Sequence, residues 1–392
     1  MKRSVAIAVA AALAAGGIAA LASVMHAVPK ASAHYDSREA LGEALFFDTN
    51  LSKNRTQACA SCHSPDAGFA DGRPTAAGRA VSLGDDGHSL GDRNAPTAAY
   101  ASFSPPFHRA EDGRYLGGLF LDGRASTLQD QAGGPPLNPL EMGMPDKAAV
   151  VARLQENPAY VEAFARLFAT DALGDAEKGY AAMTASIVAF ERTPLFAPFD
   201  SKYDRWLRGE EKLTEQEELG RVLFFSTQFA SCSQCHLLER GQVRSDEIFS
   251  NFEYHNIGVP INRAVRTVNG LPADHVDGGL AQNPAVIEPQ AETGKFKVPS
   301  LRNVAVTGPY MHNGVFTDLR TVVLFYNKYT THNPERLIDP ETGKPFDAPE
   351  VNANISLEKL KMGRALDDKR IDALVAFLKT LTDRRYEAKL AP

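Results

Sequence analysis

Two short cysteine–histidine motifs are the part of this sequence whose residue types and spacing could do chemistry. Each has a Cys-x-x-Cys pair followed at once by histidine, and together they use all four cysteines. This spacing is typical of thioether attachment to a c-type haem, whose iron the histidine then binds. One such motif could be a zinc site or a redox pair, but two copies that both end in histidine favour two covalent haems. The candidate haem-binding residues are Cys59, Cys62, His63, Cys232, Cys235 and His236.

A similar apolar segment precedes each motif and must help to position it. Residues 41–47 read Leu-Gly-Glu-Ala-Leu-Phe-Phe, and residues 219–225 read Leu-Gly-Arg-Val-Leu-Phe-Phe. The apolar residues recur at helical spacing, which predicts one amphipathic helix before each motif. The repeat indicates two haem domains of related design, an N-terminal one over residues 34–200 and a C-terminal one over residues 201–392. The proline-containing stretch 194–198 breaks the helical pattern just before this boundary.

The rest of the pattern predicts a mainly α-helical fold, with two tandem cytochrome c-like haem domains and long loops at their interface. Helical spacing recurs over residues 147–168, 172–190 and 367–381. Segments 67–97 and 247–299 carry many turn-forming residues and little apolar periodicity, so we expect long irregular loops there. A chain of 392 residues with 44% hydrophobic content can bury two such cores.

The N-terminal segment and the net charge bear on where the protein acts and what it binds. Lys2 and Arg3 precede an apolar run over residues 5–24, and residues 31–33 (Ala-Ser-Ala) fit a cleavage site. Residues 1–33 therefore predict a signal peptide for export to the periplasm, or an uncleaved membrane anchor. The net charge of −6 gives no electrostatic footprint for binding nucleic acid.

Five further segments carry a resemblance to known proteins. They are Leu41–Asp48 before the first motif, Arg93–Thr97, Asp122–Ala125, Pro299–Asn303 and Gly308–Gly314. With these segments the sequence resembles the bacterial dihaem cytochrome c peroxidases and the MauG superfamily, above all its MauG-like branch. The resemblance implies that the N-terminal haem meets peroxide, and that the six-coordinate C-terminal haem supplies or stores an oxidising equivalent.

The resemblance also implies a sixth ligand for the C-terminal haem. In the MauG-like branch this ligand is a tyrosine, and Tyr326 stands at that position. A phenolate is a hard anionic donor, so it should stabilise the higher oxidation states of iron. Met311 and Met362 are rival ligands, and Tyr326 could instead be a surface tyrosine of an amphipathic helix.

Three residues match the peroxide side of the N-terminal haem in the same branch, namely Gln131, Pro135 and Glu141. Peroxide cleavage needs a group that moves a proton from the inner to the outer oxygen, so Glu141 is the candidate acid/base. Gln131 would orient peroxide, and both side chains could otherwise be ordinary surface residues. His88 lies in the loop from which other family members ligate this haem, but its spacing differs, so we expect an open, five-coordinate iron.

A calcium ion between the haems is a further implication of the resemblance. The family usually holds it through an asparagine side chain and two carbonyl groups, which match Asn94, Thr307 and Pro309. Hard oxygen ligands of this kind, together with water, suit calcium. The residues alone would not reveal this site, because backbone ligands leave no trace in a sequence.

One position departs from the family pattern. Leu121 stands where the family usually has a tryptophan that relays electrons between the haems. The only tryptophan of the chain, Trp206, lies near the predicted domain boundary, and we expect it to pack there. Electrons would then tunnel directly between the haems or pass through another aromatic residue such as Phe120 or Tyr115.

The sequence therefore predicts a periplasmic dihaem c-type peroxidase-like oxidoreductase. It would reduce hydrogen peroxide at the N-terminal haem and store oxidising equivalents on both haems in a bis-Fe(IV)-type state. Its partner would be a small periplasmic electron donor, a cytochrome c or a cupredoxin, and the sequence leaves a homodimer open. Two alternatives stand beside this reading: a MauG-like enzyme that oxidises a partner protein, and a non-catalytic electron-transfer cytochrome.

Overall fold

Short α-helices joined by long irregular segments make up most of the structure, a computed structural model that describes residues 34–239, 244–272 and 274–390. In these residues the α-helices are α1 (Arg38–Phe46), α2 (Cys59–Cys62), α3 (Leu128–Ala132), α4 (Lys147–Gln155), α5 (Pro158–Leu167), α6 (Ala176–Glu191), α7 (Lys202–Leu207), α8 (Glu215–Phe225), α9 (Arg263–Val268), α10 (Pro289–Glu292), α11 (Leu319–Asn327), α12 (Leu357–Leu360) and α13 (Asp368–Lys379). This content agrees with the predicted mainly α-helical class.

Strands and 3-10 helices are short. In the part of the chain that the structure describes, the strands form three antiparallel pairs: β1 (His108–Arg109) with β2 (Tyr115–Leu116), β3 (Tyr254–His255) with β4 (Phe296–Lys297), and β5 (Ile338–Asp339) with β6 (Lys344–Pro345). The 3-10 helices are Thr49–Leu51, Pro65–Ala67, Ala101–Phe103, Pro135–Leu137, Ala172–Gly174, Cys232–Gln234, Leu280–Gln282, Val304–Val306, Pro334–Leu337 and Arg384–Leu390. Most of the segments predicted as irregular loops, 67–97 and 247–299, lie outside helices and strands.

Each of the two apolar repeats forms a helix whose backbone closely approaches that of another helix. Helix α1 packs against α6, and α8 packs against α13. A Cβ atom added at Gly42 of α1 would lie 1.9 Å from the carbonyl oxygen of Ser186, and one added at Gly220 of α8 would lie 1.9 Å from that of Ala373. Only glycine allows the backbones to approach so closely, which explains the Leu-Gly pair in both repeats.

The long helix predicted over residues 147–168 is interrupted in the structure. Helix α4 ends at Gln155, and α5 begins at Pro158 after the N-cap Asn157. Proline has no backbone N–H to continue the helix but suits its first position, so the apolar periodicity spans two helices. The predicted helix 172–190 is also shortened, because α6 begins only after the N-cap Asp175.

Buried apolar residues form two main clusters. The first includes Leu41, Phe164 and Ile187, and the second includes Phe224, Phe377 and Leu381. The first cluster also takes in Ile248 and Phe252 from the second half of the sequence, and the chain from His34 onward forms one compact unit. The predicted division at residues 200 and 201 therefore stays a prediction.

Buried polar contacts tie distant parts of the chain together. The Tyr100 hydroxyl donates to Asp383 Oδ1 at 2.6 Å. Arg302, which is 1% exposed, pairs with Asp204 at 2.6 Å. Among the described residues, no helix is long and apolar enough to cross a membrane. The predicted signal peptide or anchor, residues 1–33, lies outside these residues.

Candidate functional site

The two cysteine–histidine motifs meet at one cavity of about 790 Å³. Its wall includes Cys62 and His63 from the first motif and Cys232, Cys235 and His236 from the second. A volume of this order is ordinary for a site that encloses a cofactor. Cys59 of the first motif is not among the lining residues. Three thiols and two imidazoles on the wall of a large cavity fit covalently attached haem, as the sequence predicts.

The first motif holds its histidine in the tautomer that suits iron. The cysteines of this motif form α2, and the backbone N–H of His63 donates to the Cys59 carbonyl at 2.9 Å. The Nδ1 atom of His63 lies 3.2 Å from the carbonyl oxygen of Phe69. Because a carbonyl can only accept, Nδ1 carries the proton and Nε2 keeps its lone pair for a metal. Burial lowers the pKa of His63, so the imidazole is neutral, as metal binding requires.

The second motif repeats this arrangement with a tighter turn. Cys232–Gln234 form a 3-10 helix rather than the α-helical turn of the first motif. The Nδ1 atom of His236 lies 3.1 Å from the carbonyl oxygen of Phe249, and burial lowers the pKa of His236 to about 4. Phe69 and Phe249 both have a left-handed backbone conformation, with φ values of 57° and 59°. This conformation is uncommon for bulky residues, so the internal repeat extends to the residue that orients each histidine.

The three residues predicted for the peroxide side of the first haem all line the cavity, namely Gln131, Pro135 and Glu141. The Oε1 atom of Glu141 accepts a hydrogen bond from Asn138 Nδ2 at 2.7 Å. Burial raises the pKa of Glu141, against the opposing effects of Arg124 and of the Asn138 bond. Burial is the main cause that raises the pKa of the Cys62 thiol, and the charges of Asp71 and Glu141 add to it.

Tyr326 lies on α11 and lines the same cavity as His236. The residue as a whole is 37% exposed, yet burial raises the pKa of its hydroxyl, with Cys235 and Cys232 as further causes. We attribute the exposed fraction to the cavity, because a surface hydroxyl would not be desolvated in this way. Met311 and Met362 also line the cavity, so Tyr326 as the iron ligand stays a prediction.

The residues matched to a calcium site also come together at the cavity wall. Asn94, Thr307 and Pro309 all line it. The backbone N–H of Asn94 donates to the His312 carbonyl at 2.7 Å, and its side-chain Nδ2 donates to the Ala80 carbonyl at 3.0 Å. These bonds leave the Asn94 Oδ1 atom for a cation, and calcium stays a prediction.

Leu121 and Phe120 line the cavity. The backbone N–H of Lys297 donates to the Leu121 carbonyl at 2.9 Å. Trp206 is not among the residues that line the cavity. It stacks on Tyr203, with 5.5 Å between the ring centroids, as the sequence predicts. Tyr115 instead belongs to a separate apolar cluster, so Phe120 is the aromatic alternative that the structure brings to the cavity.

His88 is not brought to the haem cavity. Its side chain is 80% exposed, and its ring nitrogens lie near Asp86 on the same loop. The open, five-coordinate iron of the N-terminal haem stays a prediction.

Sequence reasoning missed two ionisable groups on the cavity wall, the buried Glu191 and the half-buried Lys297. Glu191 ends α6 and is 5% exposed. Burial lowers the pKa of Lys297 to about 7, with Asp122 opposing, and its Nζ donates to the Gly118 carbonyl. Neither residue belongs to a motif, and a single charged residue in a sequence does not show whether it is buried.

With this geometry in place, the class of protein is clear: the chain belongs to the dihaem cytochrome c peroxidase and MauG family, and it is a c-type haem oxidoreductase. A model described as di-haem cytochrome c peroxidase matches residues 36–212. Methylamine utilization protein MauG of Paracoccus denitrificans (strain Pd 1222) is 56% identical over 355 residues, which are 91% of this chain and 91% of that protein.

Two further relatives agree with this assignment. Cytochrome c551 peroxidase of Nitrosomonas europaea is 30% identical over 352 residues, covering 89% of this chain and 81% of that protein. The crystal structure of the diheme peroxidase BthA from Burkholderia thailandensis E264 is 35% identical, with a TM-score of 0.77, and covers 89% of this chain and 86% of that one. The family thus includes peroxidases as well as MauG proteins.

Proposed function

We propose that the protein is a periplasmic dihaem peroxidase that reduces hydrogen peroxide at its N-terminal haem and shares the oxidising equivalents with its C-terminal haem. The asymmetry of the cavity carries this proposal. Glu141, a half-buried carboxyl group from the first half of the chain, lines the cavity that also holds Cys62 and His63, whereas Tyr326 comes from α11 in the second half and lines the same cavity as Cys232, Cys235 and His236. Glu141 would therefore transfer protons at the N-terminal haem, and Tyr326 would provide a hard oxygen ligand at the C-terminal haem.

The bound haem would supply the electrons and the open iron site, and the chain would supply positioning and proton transfer. Gln131 would orient peroxide by hydrogen bonding, with Pro135 shaping the same wall. Glu141 would take the proton from the inner peroxide oxygen and return it to the outer one, so that water leaves. His63, fixed by the Phe69 carbonyl, would hold the iron.

The C-terminal haem would act as the reservoir. His236 and Tyr326 would hold its iron, and the phenolate would favour the higher oxidation states that storage requires. With leucine at position 121, electrons would tunnel directly between the haems or pass near Phe120. A calcium ion held by Asn94 and by the carbonyls of residues 307 and 309 would lie between the two haems.

A second function has an observation in its favour. The identity of 56% to a methylamine utilization protein MauG supports the MauG-like alternative. In that alternative the enzyme would oxidise tryptophan side chains of a partner protein. Leu121 argues against it, because leucine cannot carry the radical that the usual tryptophan relay would carry. We therefore place peroxide reduction with a small cytochrome c or cupredoxin donor first.

Steady-state kinetics with hydrogen peroxide separate the two functions. We expect the protein to oxidise a reduced cytochrome c or cupredoxin catalytically, and to lose this turnover in the Glu141→Gln variant. Peroxide-dependent oxidation of tryptophan in a partner protein, without donor turnover, would favour the second function. No reaction with peroxide in either assay would leave only an electron-transfer cytochrome and would refute both enzymatic proposals.

A further inference from the structure

Glu191 has no role in the chemistry described above, although it lies on the wall of the haem cavity. It is the last residue of α6 and is 5% exposed. No hydrogen-bond donor among the described residues reaches its Oε2 atom. A buried carboxylate with an unpartnered oxygen is strongly disfavoured in its charged form. The structure therefore favours a neutral, protonated carboxyl group at this position.

No charge near Glu191 offsets the effect of burial. The ionisable side chains on the helices packed against α6 are Arg38, Glu39, Glu43, Asp130, Lys147 and Arg153. None of them is among the causes that shift the pKa of Glu191, which burial alone raises to about 8. The C-terminal end of a helix carries a partial negative charge, which further disfavours a carboxylate there.

Glu191 is close enough to Cys59, a predicted attachment point of the N-terminal haem, to influence the pKa of its thiol. A carboxylate at Glu191 is one of the causes that raise the pKa of the Cys59 thiol, after burial. The Cys59 sulfur becomes a thioether in the haem-bound protein, so this group no longer titrates, but it marks where the haem is attached. Glu191 also lines the haem cavity, and its neighbour Phe190 belongs to the apolar cluster against which Cys59 packs. Positive charge gained by a haem in this poorly solvated cavity would lower the proton affinity of a carboxyl group on its wall.

We propose that Glu191 is the proton store of the N-terminal haem: its carboxyl group holds a proton while the iron is reduced and releases it when the iron is oxidised. In this step one electron leaves the ferrous iron for an external oxidant such as ferricyanide. The O–H bond of the Glu191 carboxyl group breaks, one proton passes through the cavity to solvent, and the carboxylate balances the positive charge gained by the haem.

A potentiometric titration of the haem-loaded protein between about pH 6 and pH 9 tests this role. Where Glu191 titrates, we expect the potential of the wild-type N-terminal haem to fall with rising pH by up to about 59 mV for each tenfold change in proton concentration. The Glu191→Gln variant should lose this slope. It should also keep the potential that the wild type shows at low pH, because glutamine mimics the protonated acid.

Glu247 offers a matched control. It is 0% exposed and its Oε2 atom also has no partner, but its Oε1 accepts from the backbone N–H groups of Leu238 at 2.9 Å and Phe249 at 2.7 Å. It is also absent from the residues that line the haem cavity. The Glu247→Gln variant should therefore keep the pH dependence of the N-terminal haem potential.

Proton release gives a second measurement that needs no variant. Oxidation of the reduced wild-type protein by ferricyanide in weak buffer with a pH-sensitive dye should release up to one proton through Glu191, and the glutamine variant should release correspondingly less. A wild-type potential that does not change with pH, or a slope that persists in the glutamine variant, would overturn the proposal. Neither readout uses peroxide, so this proposal and the peroxidase proposal can fail separately.

Discussion

Replacing Glu141 by glutamine tests whether this residue moves the peroxide proton. Glutamine keeps the size of the side chain and can still bond to Asn138, but it cannot take up a proton. A positioned acid–base group typically contributes about 10²- to 10⁴-fold to a rate, so we expect the second-order rate constant for peroxide to fall by that factor. Stopped-flow mixing of the oxidised protein with peroxide measures it, and haem content should be unchanged.

The pH dependence of the same rate gives a sharper test. Glu141 must be a carboxylate to accept a proton, so the rate should fall as pH drops through its pKa. Burial places that pKa above the ordinary value of 4.5. The 2.7 Å bond from Asn138 favours the carboxylate, and a bond to a charged group contributes about 1.5–3 kcal/mol. Asn138→Ala should therefore move the midpoint of the profile upward by about one to two pH units.

An exposed glutamate provides the control for both variants. Glu177 pairs with Lys147 at the protein surface, so Glu177→Gln should leave both the rate and its midpoint unchanged. The reasoning would be refuted if Glu141→Gln kept the wild-type rate constant, or if Asn138→Ala moved the midpoint to lower pH.

Three further changes test other parts of the account. Tyr326→Met should raise the reduction potential of the C-terminal haem in a potentiometric titration, and an unchanged potential would show that another residue is the ligand. Gly220→Ala would put a Cβ 1.9 Å from the Ala373 carbonyl oxygen, so urea unfolding should show a loss of at least about 1–3 kcal/mol; equal stability would contradict the close helix crossing. Tyr100→Phe leaves the buried Asp383 Oδ1 without its donor and should cost about 1–3 kcal/mol in the same assay, whereas no loss would mean that water replaces the hydroxyl.

Local spacing made the haem motifs and their helices predictable from the sequence. The Cys-x-x-Cys-His pattern and the apolar repeat each depend on residues close together in the chain. The structure adds the reason for Gly42 and Gly220, which face the backbones of helices far along the sequence. It also shows that periodicity did not reveal the break at Pro158, because α4 and α5 both present apolar faces to the same core.

The wall of the cavity was only partly predictable. Family resemblance pointed to Glu141 and Tyr326, and the structure brings both to the cavity. Glu191 and Lys297 could not be found in this way, since each is a single charged residue whose burial depends on segments distant in sequence. The carbonyl groups that orient the histidines were equally hidden, because every residue has one.

The most direct test of the central claim is to mix the fully oxidised protein with one equivalent of hydrogen peroxide and to record the absorption of both haems. Electron paramagnetic resonance of the starting protein should show one high-spin and one low-spin iron, as expected for one open and one closed haem. The account predicts that peroxide then changes the absorption of both haems, because the oxidising equivalents are shared. An unchanged spectrum would contradict the account.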